Sequence, residues 1–274
     1  MVKWLALILM LIDHIGLFMF DMIPPVVYDL MRGLGRLAMP LFAFSLAYGF
    51  TKSKNWLKYL IRLLVTALVS EFVIIKCYGW LNFHRSFINI VFMFSCSLVF
   101  LIALKILLNS GYDLLVRMQP ISSTGMPEND LPYDFRVNLG GIELPPILGF
   151  ILGSIFMLIS SWLIIKYDME YGIYGLLTVV AFYIVLIVKP KHPRILGIIL
   201  LIVVNLIFQI GSLLNLGSIF KYNSLQWLTV AAVPFCFTKE EEREPVKWQK
   251  YFFYIAYPAQ FIILTLIRYL LTKT

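Results

Sequence analysis

Between residues 4 and 271 the chain turns apolar nine times, for 16 to 22 residues at a stretch. A hydrocarbon core about 30 Å thick is crossed by about 20 apolar residues in a helix, so each run is an expected crossing. The runs are 4–20, 34–50, 57–75, 87–108, 144–165, 171–188, 195–214, 222–237 and 251–271. The eighth is the weakest, being short and holding Pro234. The expected architecture is all-α: a polytopic helical bundle of about nine transmembrane helices, forming one domain over residues 1–274.

Composition agrees. Hydrophobic residues make up 61% of the chain and charged residues only 14%, where a soluble domain carries about a quarter charged. A mean hydropathy of +0.86 excludes a soluble enzyme, a zinc module and a nucleic-acid binder as the main reading. In a polytopic protein a net charge of +8 reflects lysine and arginine held in cytoplasmic loops. Cys77, Cys96 and Cys236 lack ligand spacing, as do His84 and His192, so no metal site and no disulfide framework is expected. Lys3 and the apolar run after it resemble a signal peptide. Asp13 and His14 interrupt that run, and no small-residue cleavage site follows, so it is read as a retained first helix.

Basic residues set the expected orientation. Lys52, Lys54, Lys58 and Arg62 lie between spans two and three, Lys189, Lys191 and Arg194 between six and seven, and Lys239, Arg243, Lys247 and Lys250 between eight and nine. With alternating spans all three clusters share one side, which the positive-inside rule makes cytoplasmic along with the N-terminus. The C-terminus then lies outside, and the localisation is a multi-pass protein of the cell membrane. The long connection 109–143 would be a cytoplasmic loop, rich in proline and glycine. Pro40 is expected to kink the second span, since it removes a backbone donor.

Ionisable groups at membrane depth are costly and mark function by default. Asp13, His14, Arg36, Glu71 and the Asp168 to Glu170 stretch are the principal ones, and Asn89 lies just inside the outer end of the fourth span. Under this topology His14 lies near the midplane, and five helices deliver polar groups to one outer half of the bundle. Adjacent residues sit about 100° apart on a helix and do not face each other, so an orienting carboxylate for His14 would come from Glu71 or Asp168. Structural readings stand beside the chemical ones. His14 also suits an interhelical hydrogen bond, Arg32 and Arg36 suit snorkelling anchors, and Glu71 suits a structural pair with an arginine. Gly33 and Gly35 in RGLGR neither follow a strand nor open a phosphate loop, so dinucleotide binding is discounted.

The opening KWLALILMLIDHIGLF and the following RGLGRLAMPLFAFSLAYGFTKSKNWLKYLIRLL resemble the TraX family of polytopic membrane proteins. SEF at residues 70–72 with INIVF at 88–92, DMEYGIYGLL from Asp168 and KYFFYIAYP from Lys250 agree in order. The resemblance implies N-acetylation of the type associated with conjugative pilin, and likeness to membrane acyltransferases that draw on cytosolic acetyl-CoA. It implies a catalytic role for His14 in IDHIG and a supporting one for Arg36 in GRLAMP, with Asp13, Glu71, Asn89 and Asp168 completing the candidate set. Relatives show a histidine after the tyrosine-proline of the last span, where this chain has Gln260.

Acetyl-CoA is the expected acyl donor, its phosphates paired by Lys52, Lys54, Lys58 and Arg62. The expected acceptor is an amine or hydroxyl on a peptide, glycan or lipid, with membrane lipids as surroundings and no nucleic acid as partner. Two other classes fit the same polar residues. In a secondary transporter Asp13, His14 and Glu71 would be relay groups, and in a non-catalytic assembly factor the fold would outlast the chemistry.

Overall fold

The computed structural model describes residues 2–118, 145–220, 222–237 and 247–273. These form nine α-helices: α1 (Val2–Phe18), α2 (Pro25–Gly35), α3 (Ala38–Lys52), α4 (Trp56–Leu81), α5 (Ile90–Met118), α6 (Pro146–Lys166), α7 (Gly172–Val188), α8 (Pro193–Leu213) and α9 (Lys247–Lys273). A 3-10 helix, Ser224–Phe235, lies between α8 and α9. No strand occurs among the described residues, whose one isolated bridge joins Ile88 to Met169. Five helical segments are long and apolar enough to cross a membrane. The chain is a helical membrane bundle, and the expected count of about nine holds.

Aromatic contacts fix the sense of the termini. Trp4 packs on Phe252 and Phe253 at 5.2 and 5.0 Å between ring centroids, while Phe18, one end of α1 away, meets Phe261 at 6.0 Å. Helices α1 and α9 therefore run parallel. Beyond them Arg268 of α9 grips Asp21 through two hydrogen bonds of 2.7 Å and also donates to the Phe18 carbonyl. Those bonds hold the Asp21 carboxyl below the usual carboxylate range. An odd number of crossings follows. The α3–α4 and α7–α8 junctions, with Lys52 to Arg62 and Lys189 to Arg194, share the end at which α1 begins; we call this the basic end. Lys239 and Arg243 lie outside the described residues.

Three sequence expectations need correction. Span two is divided: α2 ends at Gly35, the chain turns at Arg36 and Leu37, and α3 begins at Ala38. Pro40 consequently sits in the first turn of α3, where its missing N–H leaves no helical bond unmade. The break precedes it. The connection expected from Asn109 is shorter, because α5 continues to Met118; the remainder of it, through residue 143, lies outside the described residues. The eighth span is neither α-helical nor a loop. A 3-10 helix rises about 2.0 Å per residue, so 12 residues reach about 24 Å where an α-helix would reach about 18 Å. Runs of this length are uncommon, and this one is tied down along its course. Asn223 caps it in a reciprocal box with Gln226, Trp227 donates to Gln209, and buried Asn205 of α8 accepts from Tyr174 and Tyr222.

Glycine spacing explains how tightly α5 and α6 pack. Gly149 and Gly153 form a small-xxx-small stripe on α6 that lets α5 approach, as such stripes do in lipid. A side chain at Gly153 would meet the Ala103 carbonyl at 2.9 Å and the Leu107 backbone nitrogen at 3.1 Å. Backbone atoms cannot step aside, so Gly153→Val is expected to cost about 1–3 kcal/mol. Thermal unfolding in detergent checks this, and an unchanged midpoint would contradict the packing.

A polar candidate site in the far half of the bundle

At the end opposite the basic residues, seven elements bring polar side chains together. His14 lies about 18 Å along α1 from Val2, on the rise of 1.5 Å per residue. Its ring packs on Phe261 at 4.8 Å and faces Tyr257 at 6.4 Å, both from α9. Gln260 of α9 adjoins it. Asp13, one residue back and turned aside, is ion-paired with Arg32 of α2 at 2.6 Å, neither side chain more than 18% exposed. The pairing needs α2 to lie hard against α1. A Cβ on Gly35 would fall 2.2 Å from the Asp13 carboxylate, so RGLGR is a close-approach motif. Arg36, in the α2–α3 turn, donates to the Tyr171 hydroxyl at 3.1 Å. Both arginines thus turn inward and do not snorkel.

Glu71 and Asn89 lie at the rim. The Glu71 carboxylate accepts from Arg85 at 2.8 Å, from the Asn89 side chain at 2.7 Å and from the Asn89 backbone at 3.2 Å. Asn89 also donates to the Ala67 carbonyl and accepts from Val91, opening α5. These groups are committed to structure: Asn89 has no amide hydrogen left for an oxyanion, and the expected arginine partner of Glu71 is Arg85. An open cleft of about 470 Å³, lined by Glu71, Tyr78, Phe83, Arg85, Phe87 and Tyr167 among others, reaches this rim.

The α6–α7 turn supplies the last members. Asp168 and Tyr171 adopt left-handed backbone angles (φ 42° and 63°), as does Gly172 (φ 50°), conformations that cost non-glycine residues energy and gather at functional sites. The turn is clasped to the start of α5, Ile88 donating to the Asp168 carbonyl and accepting from Glu170 N–H. Asp168 is left exposed, while Glu170 is partly buried. Glu170 shares the electrostatic field of Asp13, Arg32, Arg36 and Arg85. Burial, with the Asp13 charge adding to it, pushes its carboxyl up to about 7 against the opposing arginines. Of the two carboxylates in this stretch, Glu170 is the more buried, two residues beyond the one selected from sequence.

Native interiors pair the great majority of buried polar atoms, and exceptions call for an explanation. Some of the exceptions lie at this site, and others, among them Ser45 and both amide atoms of Asn109, lie elsewhere in the bundle. His14 Nδ1, Arg36 Nε and both amide atoms of Gln260 are buried without a hydrogen-bond partner. Neither Glu71 nor Asp168 bonds His14, contrary to expectation. Lys52, Lys54, Lys58 and Arg62 form a separate group at the α3–α4 junction, where Asn55 caps α4 through Lys58 N–H at 2.8 Å. Lys52, Lys54 and Lys58 are exposed, and the Arg62 guanidinium lies over the Tyr59 ring at 5.9 Å.

A family model described as TraX protein matches residues 1–111 and 148–268. The chain belongs to the TraX family. Every residue of the polar site and of the basic group falls inside the matched segments, and the TraX match skips 112–147, which includes the stretch between α5 and α6. Comparison with curated proteins and with solved structures gives no match.

Proposed function

We propose that this TraX protein is an acyltransferase of the cell membrane that moves an acetyl group from cytosolic acetyl-CoA to an amine or hydroxyl acceptor reached from the far side. The carrying observation is that His14, Arg36 and Gln260, polar residues in apolar surroundings, each keep a buried polar atom without a hydrogen-bond partner. The basic end faces the cytoplasm on the positive-inside rule, which puts its cations where the donor is made.

In this reading the donor's phosphates pair with Lys52, Lys54, Lys58 and Arg62, and its flexible arm extends towards His14. Neutral His14 takes the acceptor's proton as general base, the role most often filled by an imidazole. The acceptor's nitrogen or oxygen bonds to the thioester carbon, and Arg36 stabilises the resulting oxyanion. The intermediate collapses with loss of the thiolate, which His14 reprotonates. Arg36 carries the oxyanion role because the amide hydrogens of Asn89 are spent. The far cleft is the acceptor's approach.

The test is to incubate purified protein with labelled acetyl-CoA. Free thiol released in step with acetyl transfer supports the reading, and label retained on the protein would make the step covalent through acetyl-histidine. Neither thiol nor label would reject it in favour of an assembly factor. Neutralising Lys54 and Lys58 together is expected to raise the Michaelis constant for acetyl-CoA several-fold with little change in turnover. Exposed ionic contacts are screened by salt, so the difference from the parent protein should be largest at low ionic strength and shrink as salt is added.

A further inference from the structure

We propose that the far cleft binds the headgroup of an aminophospholipid, with its phosphate on Arg85 and its primary ammonium on Glu71. The proposal concerns binding and stands apart from the acetyl-transfer reading. The three hydrogen bonds that Glu71 accepts all end on Oε2. Its Oε1 takes none and is not buried, and Glu71 lines the cleft. Arg85, which also lines it, spends Nη2 on the same carboxylate at 2.8 Å. Its Nε is buried without a partner, while Nη1 is neither buried nor bonded. The cleft therefore presents a carboxylate oxygen and a guanidinium side by side, the carboxylate fixed in place by the two Asn89 bonds. Tyr78, Phe83, Phe87 and Tyr167 supply rings around them. A guanidinium suits a phosphate, and a carboxylate among aromatic faces suits an ammonium. An ion pair with both charges open on one side is the complement of a zwitterion.

The cleft lies where acyl chains can reach it. Leu68, Phe72 and Ile75 form an exposed apolar stripe along α4, and Ile75 is itself part of the cleft wall. Leu158, Trp162 and Ile165 form a second exposed stripe along α6, which ends two residues short of Tyr167. Each stripe finishes in a cation seated on its own ring: Lys76 over Phe72 at 5.7 Å and Lys166 over Trp162 at 4.4 Å. Lysines at helix ends place their charge at the membrane interface in this way, so the cleft sits at headgroup level with apolar ridges beneath it. Glu71 decides among phospholipids. A choline head has no N–H to give Oε1, and a glycerol head brings it no positive charge. A primary ammonium supplies both.

The experiment titrates the purified full chain in detergent with phosphatidylethanolamine, phosphatidylcholine or phosphatidylglycerol of matched chains and counts bound lipid by native mass spectrometry. Phosphatidylethanolamine is expected to bind about tenfold more tightly than the other two, the scale of one hydrogen bond to a charged group. Glu71→Gln keeps an oxygen for Arg85 and Asn89 but turns an amide towards the lipid, so the preference should vanish while phosphatidylcholine binding stays. Ile75→Trp is the second variant: it fills the cleft from its exposed wall and leaves the Glu71–Arg85 pair alone, and it should abolish the preference even if the Glu71 variant does not fold. Inorganic phosphate and glycerophosphoethanolamine, added as competitors at the lipid's own concentration, should displace nothing. Equal affinity for all three lipids would mean boundary lipid only, and a preference for phosphatidylglycerol would mean that the lysines alone select. Either result, a preference that survives Ile75→Trp, or displacement by the soluble phosphates would overturn the proposal.

Discussion

Replacing His14 with Ala is expected to lower acetyl transfer by about 10² to 10⁴, the range of a general base, while folded yield and thermal midpoint in detergent change little. The expectation follows from what the imidazole touches. Its ring packs at a tilt on Phe261 and Tyr257 with Gln260 beside it, its Nδ1 has no hydrogen bond to lose, and alanine is the better helix former in α1. An interhelical structural histidine would behave differently. Removing it would leave a buried partner unpaired, and yield would fall with activity. Rate and yield measured on one preparation separate the two cases: an equal fall in both would show that His14 holds the bundle together and does not act on substrate.

The Arg36→Lys variant is expected to lose about 10² to 10³ in turnover, the scale of a lost oxyanion donor, with the Michaelis constant for acetyl-CoA nearly unchanged. Lysine keeps the positive charge but not the planar fork. In the parent protein one nitrogen of that fork is held by Tyr171 and Nε remains unpartnered, so two donors are aimed by one rigid group. A compact ammonium cannot keep the Tyr171 contact and also present a second N–H at the Nε position. Steady-state kinetics at saturating acceptor decide it. If donor affinity falls and turnover stays, Arg36 belongs to the phosphate site and the oxyanion role is wrong.

Much of this fold is legible because lipid restricts the alternatives: long apolar runs must cross, and cations gather at one end. The exceptions have local causes. Pro40 reads as a kink within a span, but a proline tolerated in a first turn marks where a helix starts, and the division falls at Arg36 and Leu37. Span eight looks too short when α-helical rise is assumed, and only the Asn205, Gln209 and Asn223 bonds reveal the 3-10 form. At the site, His14, Asp13 and Arg36 stand out as polar residues in apolar surroundings. Glu170 does not stand out from Asp168, because three left-handed residues erase the periodicity that tells an inward side chain from an outward one. The Asp13–Arg32 pair and the Gln260–His14 neighbourhood join residues far apart in sequence, and no spacing rule encodes them.

The central claim is that donor and acceptor meet at His14 from opposite ends of the bundle. Sealed membrane vesicles of the two orientations, each given labelled acetyl-CoA outside, test it most directly, with His14→Ala vesicles as the control. Label should appear when the basic end faces the donor and should be absent when the far end does. Equal His14-dependent labelling in both orientations, or labelling only with the far end exposed, would contradict the account.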